Sequence, residues 1–75
     1  MNYYKYGHKA ISLKNVKTVE VADHTLSKKD VNFVIVFTYN DDTSEYFNHL
    51  QEQKAHDLFE KIVDVLNANK TKSED

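Results

Sequence analysis

The residues with the strongest chemical character open the sequence, where YYKYGHK interleaves aromatic rings with ammonium groups. Tyrosine faces stack on nucleobases while neighbouring lysines meet phosphates, which is how sequence-tolerant single-strand binders work. Lys14 and Lys17 would carry the positive track onward from Lys5 and Lys9. Two features weaken this reading. All ten cationic residues are lysine, and lysine lacks the planar fork with which arginine grips phosphate or guanine through two bonds. The formal net charge is −2, opposite in sign to the usual nucleic-acid footprint. A surface built from Tyr3, Tyr4, Lys5, Tyr6, Lys9, Lys14 and Lys17 is therefore the second reading of the chain.

Four histidines, His8, His24, His49 and His56, offer imidazole for metal binding or proton transfer. On one helix His49 and His56 would share a face but stand about 10 Å apart, too far to hold one zinc ion. Glu52, His56 and Glu60 form an i, i+4 ladder that reads as a solvated face with modest charge pairing. Asp41, Asp42 and Glu45 cluster at a turn, but a calcium loop needs alternating oxygen ligands and a glycine. Ser12, Ser27, Ser44 and Ser73 sit in no nucleophile-elbow context. No catalytic, cofactor-binding or metal-ligating set emerges, and the expectation is a protein that is not an enzyme and uses no cofactor.

Composition narrows the classes further. There is no cysteine, proline or tryptophan, and Gly7 is the single glycine. Disulfide scaffolds, cysteine-ligated zinc modules and iron–sulfur clusters are thereby excluded, as are phosphate-cradling loops that need several glycines. No apolar run approaches a membrane span, and MNYYKYGHKA lacks the apolar centre of a signal peptide. A cytoplasmic protein with no membrane partner is expected. At 75 residues the chain has room for one domain. A core of this size supplies about 3–5 kcal/mol, so natural domains add a staple. With disulfides and metals set aside, self-association as a homodimer is the remaining common device.

The elements follow from periodicity. Tyr3 to Tyr6 favours extended structure, with Gly7-His8 as a turn, and Ala10 to Leu13 alternates before a turn or bulge at Lys14-Asn15. Val16 to Ala22 resumes strand character, and residues 23 to 30 form a polar loop. Val31 to Tyr39 is the clearest strand, with Val31, Phe33, Ile35, Phe37 and Tyr39 on one side and Asn32, Val34, Val36 and Thr38 on the other. Asn40 to Thr43 reads as a turn and Ser44 to Leu50 as its hairpin partner. From about Gln51 the period becomes 3.6, with Ala55, Leu58, Phe59, Ile62, Val65 and Leu66 in one stripe. Asn48 and Gln51 resemble a capping box that would start the helix as early as His49.

The expected fold is α+β: an antiparallel sheet of four or five strands with one C-terminal amphipathic helix packed on one face. Residues 1–68 would form this domain and 69–75 a disordered charged tail. One helix covers one face, so Val34 and Val36, on the opposite side from Phe33, Ile35 and Phe37, need another cover. They and the tyrosines Tyr3, Tyr4 and Tyr6 are the interface candidates. The N-terminal hairpin curling over the valines is the alternative to a partner. Charge is also uneven: residues 1–40 carry a net +3 and residues 41–75 a net −5.

The run ISLKNVKTVEV, then VNFVIVFTYNDDTSEYF and an amphipathic helix, resembles a plan found in small proteins of low-GC Gram-positive bacteria and their phages. It is also loosely similar to the last strands and closing helix of a pleckstrin-homology domain. The resemblance is architectural and implies no ligand motif. The function expected is a small non-enzymatic protein-interaction module, of the kind used as a phage or mobile-element inhibitor or accessory protein, with a partner the sequence does not identify. A third reading is a binder of a small anionic ligand at a dimer cleft.

Overall fold

The computed structural model describes residues 3–74, with side chains to residue 68. Five strands precede one helix: β1 (Tyr3–Tyr6), β2 (Lys9–Ser12), β3 (Val16–Asp23), β4 (Phe33–Tyr39), β5 (Ser44–Leu50) and α1 (Glu52–Glu74). All pairings are antiparallel, so the fold is α+β as the periodicity implied. The strands divide into two sheets, β1-β2 and β3-β4-β5, where a single sheet was expected. The break falls at Leu13 to Asn15. Asn15 takes a left-handed backbone with φ 64°, a conformation that asparagine tolerates better than most side chains.

Tight turns close the hairpins. Gly7 carries φ 63° between β1 and β2. Between β4 and β5 the Asp42 N–H donates to the Tyr39 carbonyl at 2.9 Å, and Asp42 itself has φ 68°. The longer connection between β3 and β4 is ordered by its polar groups. The Thr25 N–H donates to Asp23 Oδ1 at 2.9 Å, and the Asn32 N–H donates to Thr25 Oγ1 at 3.1 Å. The His24 N–H donates to the Asn32 carbonyl at 2.9 Å beyond the last ladder pair, and β4 itself starts at Phe33, two residues later than the alternation suggested.

Between β4 and β5 the ladder shifts register from Phe33↔Leu50 to Ile35↔Phe47. The extra residue lets both Phe47 and Leu50 reach the same buried side despite their odd spacing. His49 absorbs the bulge at φ 58°, and its N–H donates to Asn32 Oδ1 at 2.7 Å. This corrects the helix start: Asn48 and His49 belong to β5, no capping box forms there, and α1 begins at Glu52. Its first turn closes with Ala55 N–H donating to the Gln51 carbonyl at 2.8 Å. The helix runs to Glu74, across the boundary placed at residue 68. The side chains of residues 69–75, assigned in sequence to a tail, lie outside the described residues.

The core brings Ile35, Phe37, Phe47 and Leu50 of the three-stranded sheet against Ala55, Leu58 and Ile62 of α1. Ile11 and Leu13 join the same cluster, with Tyr4 and Tyr6 packed against it. The helix lies over β3 and β4, while β1 and β2 close the β5 side. There the Tyr6 ring meets Phe47 edge-on at 5.8 Å, and Lys9 Nζ donates to the Tyr46 carbonyl at 2.8 Å. The N-terminal hairpin therefore shares the helix side of the sheet and does not curl over Val36. No helix among the described residues is long and apolar enough to cross a membrane.

Ile35 is wholly enclosed at the centre of this cluster. Ile35→Ala should cost about 2–5 kcal/mol, the usual cost of emptying a core aliphatic site. Urea denaturation followed by circular dichroism should find that variant largely unfolded. Lys61→Ala on the exposed side of α1 should stay within about 0.5 kcal/mol of the parent.

Candidate functional site

Strand alternation puts two kinds of surface on the three-stranded sheet. Register pairs Thr18 with Thr38 and Thr38 with Ser44, then Glu20 with Val36 and Val36 with Tyr46, then Ala22 with Val34. These residues form the face turned away from the helix and the hairpin. Val34 is 5 % exposed and is buried outside the main cluster, beside Ala22. Of the two valine candidates it therefore offers a partner almost nothing. Val36 is half-buried, and Tyr46, across the ladder from it, is 50 % exposed. Glu20 is the one charged side chain in these three rows, within a chain in which 29 % of residues are charged.

Tyr46 is held from its own edge. Lys9 Nζ stands 5.0 Å from the centre of the Tyr46 ring, bonds the Tyr46 carbonyl, and approaches Glu45 Oε2 at 3.6 Å. An ammonium group over an aromatic face is attracted by the ring's negative quadrupole. The same lysine occupies a backbone acceptor on the outer edge of β5, which guards that edge against another strand.

The tyrosines of β1 do not form one platform. Tyr4 pairs with Ile11 in register, and Tyr4 and Tyr6 pack on the core, whereas Tyr3 on the other face is 60 % exposed. Lys54 Nζ lies 5.5 Å from the centre of the Tyr6 ring. The lysines are also dispersed: Lys9 is engaged at β5, and Lys17, the extra residue of a bulge between β3 and β4, pairs with Asp42 Oδ1 at 2.9 Å. Lys5 and Lys14 are exposed. Seven residues that look like a track in sequence thus point in several directions.

A shallow cleft of about 320 Å3 opens between Ser12 to Asn15 and the Tyr39 to Thr43 turn. Its polar groups serve the joint between hairpin and sheet. The Tyr39 hydroxyl donates to the Ser12 carbonyl at 2.7 Å, and the Asn40 N–H donates to the Asn15 carbonyl at 2.9 Å. Asp41 Oδ1 accepts from the Thr43 hydroxyl at 2.6 Å and the Thr43 N–H at 3.1 Å. Those bonds, the hydroxyl first, hold the Asp41 carboxyl below its ordinary pKa. Asp23 is lowered in the same way, chiefly by the Thr25 N–H. An anionic ligand in the cleft would meet Lys14 but also the Asp41 carboxylate. Among the described residues no three His, Asp or Glu side chains are grouped to hold a metal ion. His49 leaves the helix, and His56 packs by Phe33 with ring centres 6.4 Å apart.

Sequence reasoning missed Tyr46 and Glu20 as members of the outward face. Alternation within each strand was readable, but their alignment with Val36 depends on the turn and bulge that set the register.

Burial, aided by the nearby Glu45 carboxylate, raises the Tyr39 pKa above its ordinary value. A raised folded pKa means that Tyr39 contributes stability in full below about pH 10 and loses it as pH rises through the folded value. Tyr39→Phe should flatten the alkaline limb of stability against pH, read as urea midpoints from about pH 8 to 11. An unchanged limb would assign that limb to other groups.

Residues 11–73 match the family described as a domain of unknown function, DUF3110, and the chain belongs to that family. No curated protein and no solved structure matches it. The matched segment starts within β2, so β1 and its tyrosines precede it.

Proposed function

We propose that this member of the DUF3110 family is a small, non-enzymatic protein-interaction module of the cytoplasm whose contact surface is the outward face of β3-β4-β5. The observation that carries the reading is the row Glu20, Val36 and Tyr46. It sets a half-buried valine and a half-exposed tyrosine on a nearly uncharged sheet face, while the helix and hairpin both pack on the opposite side. Tyrosine is among the residues most enriched at the centres of protein contacts, because it contributes a large apolar area and a polar end at little entropic cost. The groups with shifted protonation support a binding role over a catalytic one. Asp23 and Asp41 are shifted by hydrogen bonds within their own turns and Tyr39 by packing at a joint, causes that are structural even where Tyr39 and Asp41 line the shallow cleft.

A charge placed at the middle of such a face should abolish binding while leaving the core intact. Val36→Asp should lose the proteins that the parent chain captures from a native extract, as read by mass spectrometry, with an unchanged circular dichroism spectrum. Equal capture by both chains would overturn the reading.

A further inference from the structure

We propose that the occupant of this face is a second copy of the chain, docked sheet to sheet about a twofold axis parallel to β4. The inference rests on the reading of the face as a contact surface, and it names the partner. Its basis is the order of the rows. A twofold along the strands keeps each row at its own height and exchanges its ends, so β4 faces β4 and β3 faces β5. Thr18 then meets Ser44 of the second copy, Thr38 meets Thr38, Val36 meets Val36, and Glu20 meets Tyr46.

The geometry suits packed sheets, whose backbones stand about 10 Å apart. Across that gap a long tyrosine opposite a shorter glutamate brings a phenol O–H to a carboxylate. The tyrosine donates and the carboxylate accepts, a charge-assisted bond stronger than a neutral one. The contact occurs twice by symmetry. Lys9 Nζ, 5.0 Å from the Tyr46 ring centre, adds a cation on the rim where the glutamate of the second copy arrives. The alternative twofold, in the plane of the sheet but across the strands, would place Glu20 against Glu20 and Tyr46 against Tyr46. Like charges then oppose each other at the interface, so the row order selects the axis along β4.

The footprint sets the strength. Three strands about 4.8 Å apart, each about 23 Å long, present roughly 300 Å2 in plan. Stable interfaces bury about 800 Å2 on each partner. The dimer is therefore weak and reversible, formed at high local concentration and open to exchange.

The test uses the full chain in sedimentation velocity between about 10 and 500 micromolar, the range for a weak complex. The parent should shift from monomer to dimer across that range. Tyr46→Glu, which sets a carboxylate against Glu20 at each of the two contacts, should raise the dissociation constant at least about 10-fold. The double variant Glu20→Tyr with Tyr46→Glu reverses the row and restores the tyrosine–glutamate pairing across the interface, so it should regain most of the affinity that Tyr46→Glu loses. Circular dichroism confirms that each variant folds. A parent that stays monomeric, or a double variant no better than Tyr46→Glu, overturns the proposal. The broader reading stands or falls separately: if the parent is monomeric but Val36→Asp abolishes capture of another protein, the face is a contact surface for a different partner, and equal capture by both chains overturns that reading as well.

Discussion

The inner side of β4 carries the rest of the molecule. Ile35 and Phe37 are fully enclosed, and they are the meeting point of three parts that could not bury their own apolar surface alone. The helix stripe of Ala55, Leu58 and Ile62 presses on them from one side and Ile11 and Leu13 from the other. Phe47 links the two, edge-on to Phe37 at 5.9 Å and to Tyr6 at 5.8 Å. Aromatic pairs in this geometry contribute beyond the area they cover. For a short chain without disulfides, that convergence offsets the conformational entropy of ordering two sheets and a helix.

The elements that are local in origin were legible. The alternation of β4 and the helical stripe from Ala55 to Leu66 follow from side-chain spacing alone, and the turns at Gly7, Asn15 and Asp42 follow from residue type. Positions that depend on long-range geometry were not. Val31 has strand character, yet the strand starts at Phe33: the Asn32 N–H is taken by Thr25 Oγ1, and Asn32 Oδ1 accepts from the His49 N–H. His49 looked like the first turn of a helix, but the bulge it absorbs keeps Leu50 directed at the core. The side on which the hairpin lands is likewise unreadable locally, because Ile11 and Leu13 fit any apolar surface of suitable size.

The outward face shows the same division. Val34 and Val36 were visible by alternation, and the structure separates them by burial: Val34 is enclosed and Val36 remains at the surface of the row. The tyrosines that drew attention at the N-terminus are split by the pleat of β1, with Tyr4 and Tyr6 inward and Tyr3 outward. The aromatic that joins the face, Tyr46, had no local sign, since a tyrosine in a hairpin strand is ordinary. Its meaning comes from standing across from Val36, and that alignment belongs to the register.

The joint between Tyr39 and Ser12 also bears on the order in which the chain closes. β3, β4 and β5 follow one another, so their ladders close over short connections, whereas α1 meets β3 across the two strands between them. The bond from Tyr39 to Ser12 spans 27 residues and that from Lys9 to Tyr46 spans 37. Closing longer loops costs more entropy and slows folding. The N-terminal hairpin and the helix thus both depend on a three-stranded sheet whose own ladders close over shorter connections. Were the hairpin to detach, Phe47 would lose the Tyr6 ring, and the cluster around Ile35 and Phe37 would lose Ile11 and Leu13. Such an opening would be a weak point toward proteases and toward the chain's own aggregation.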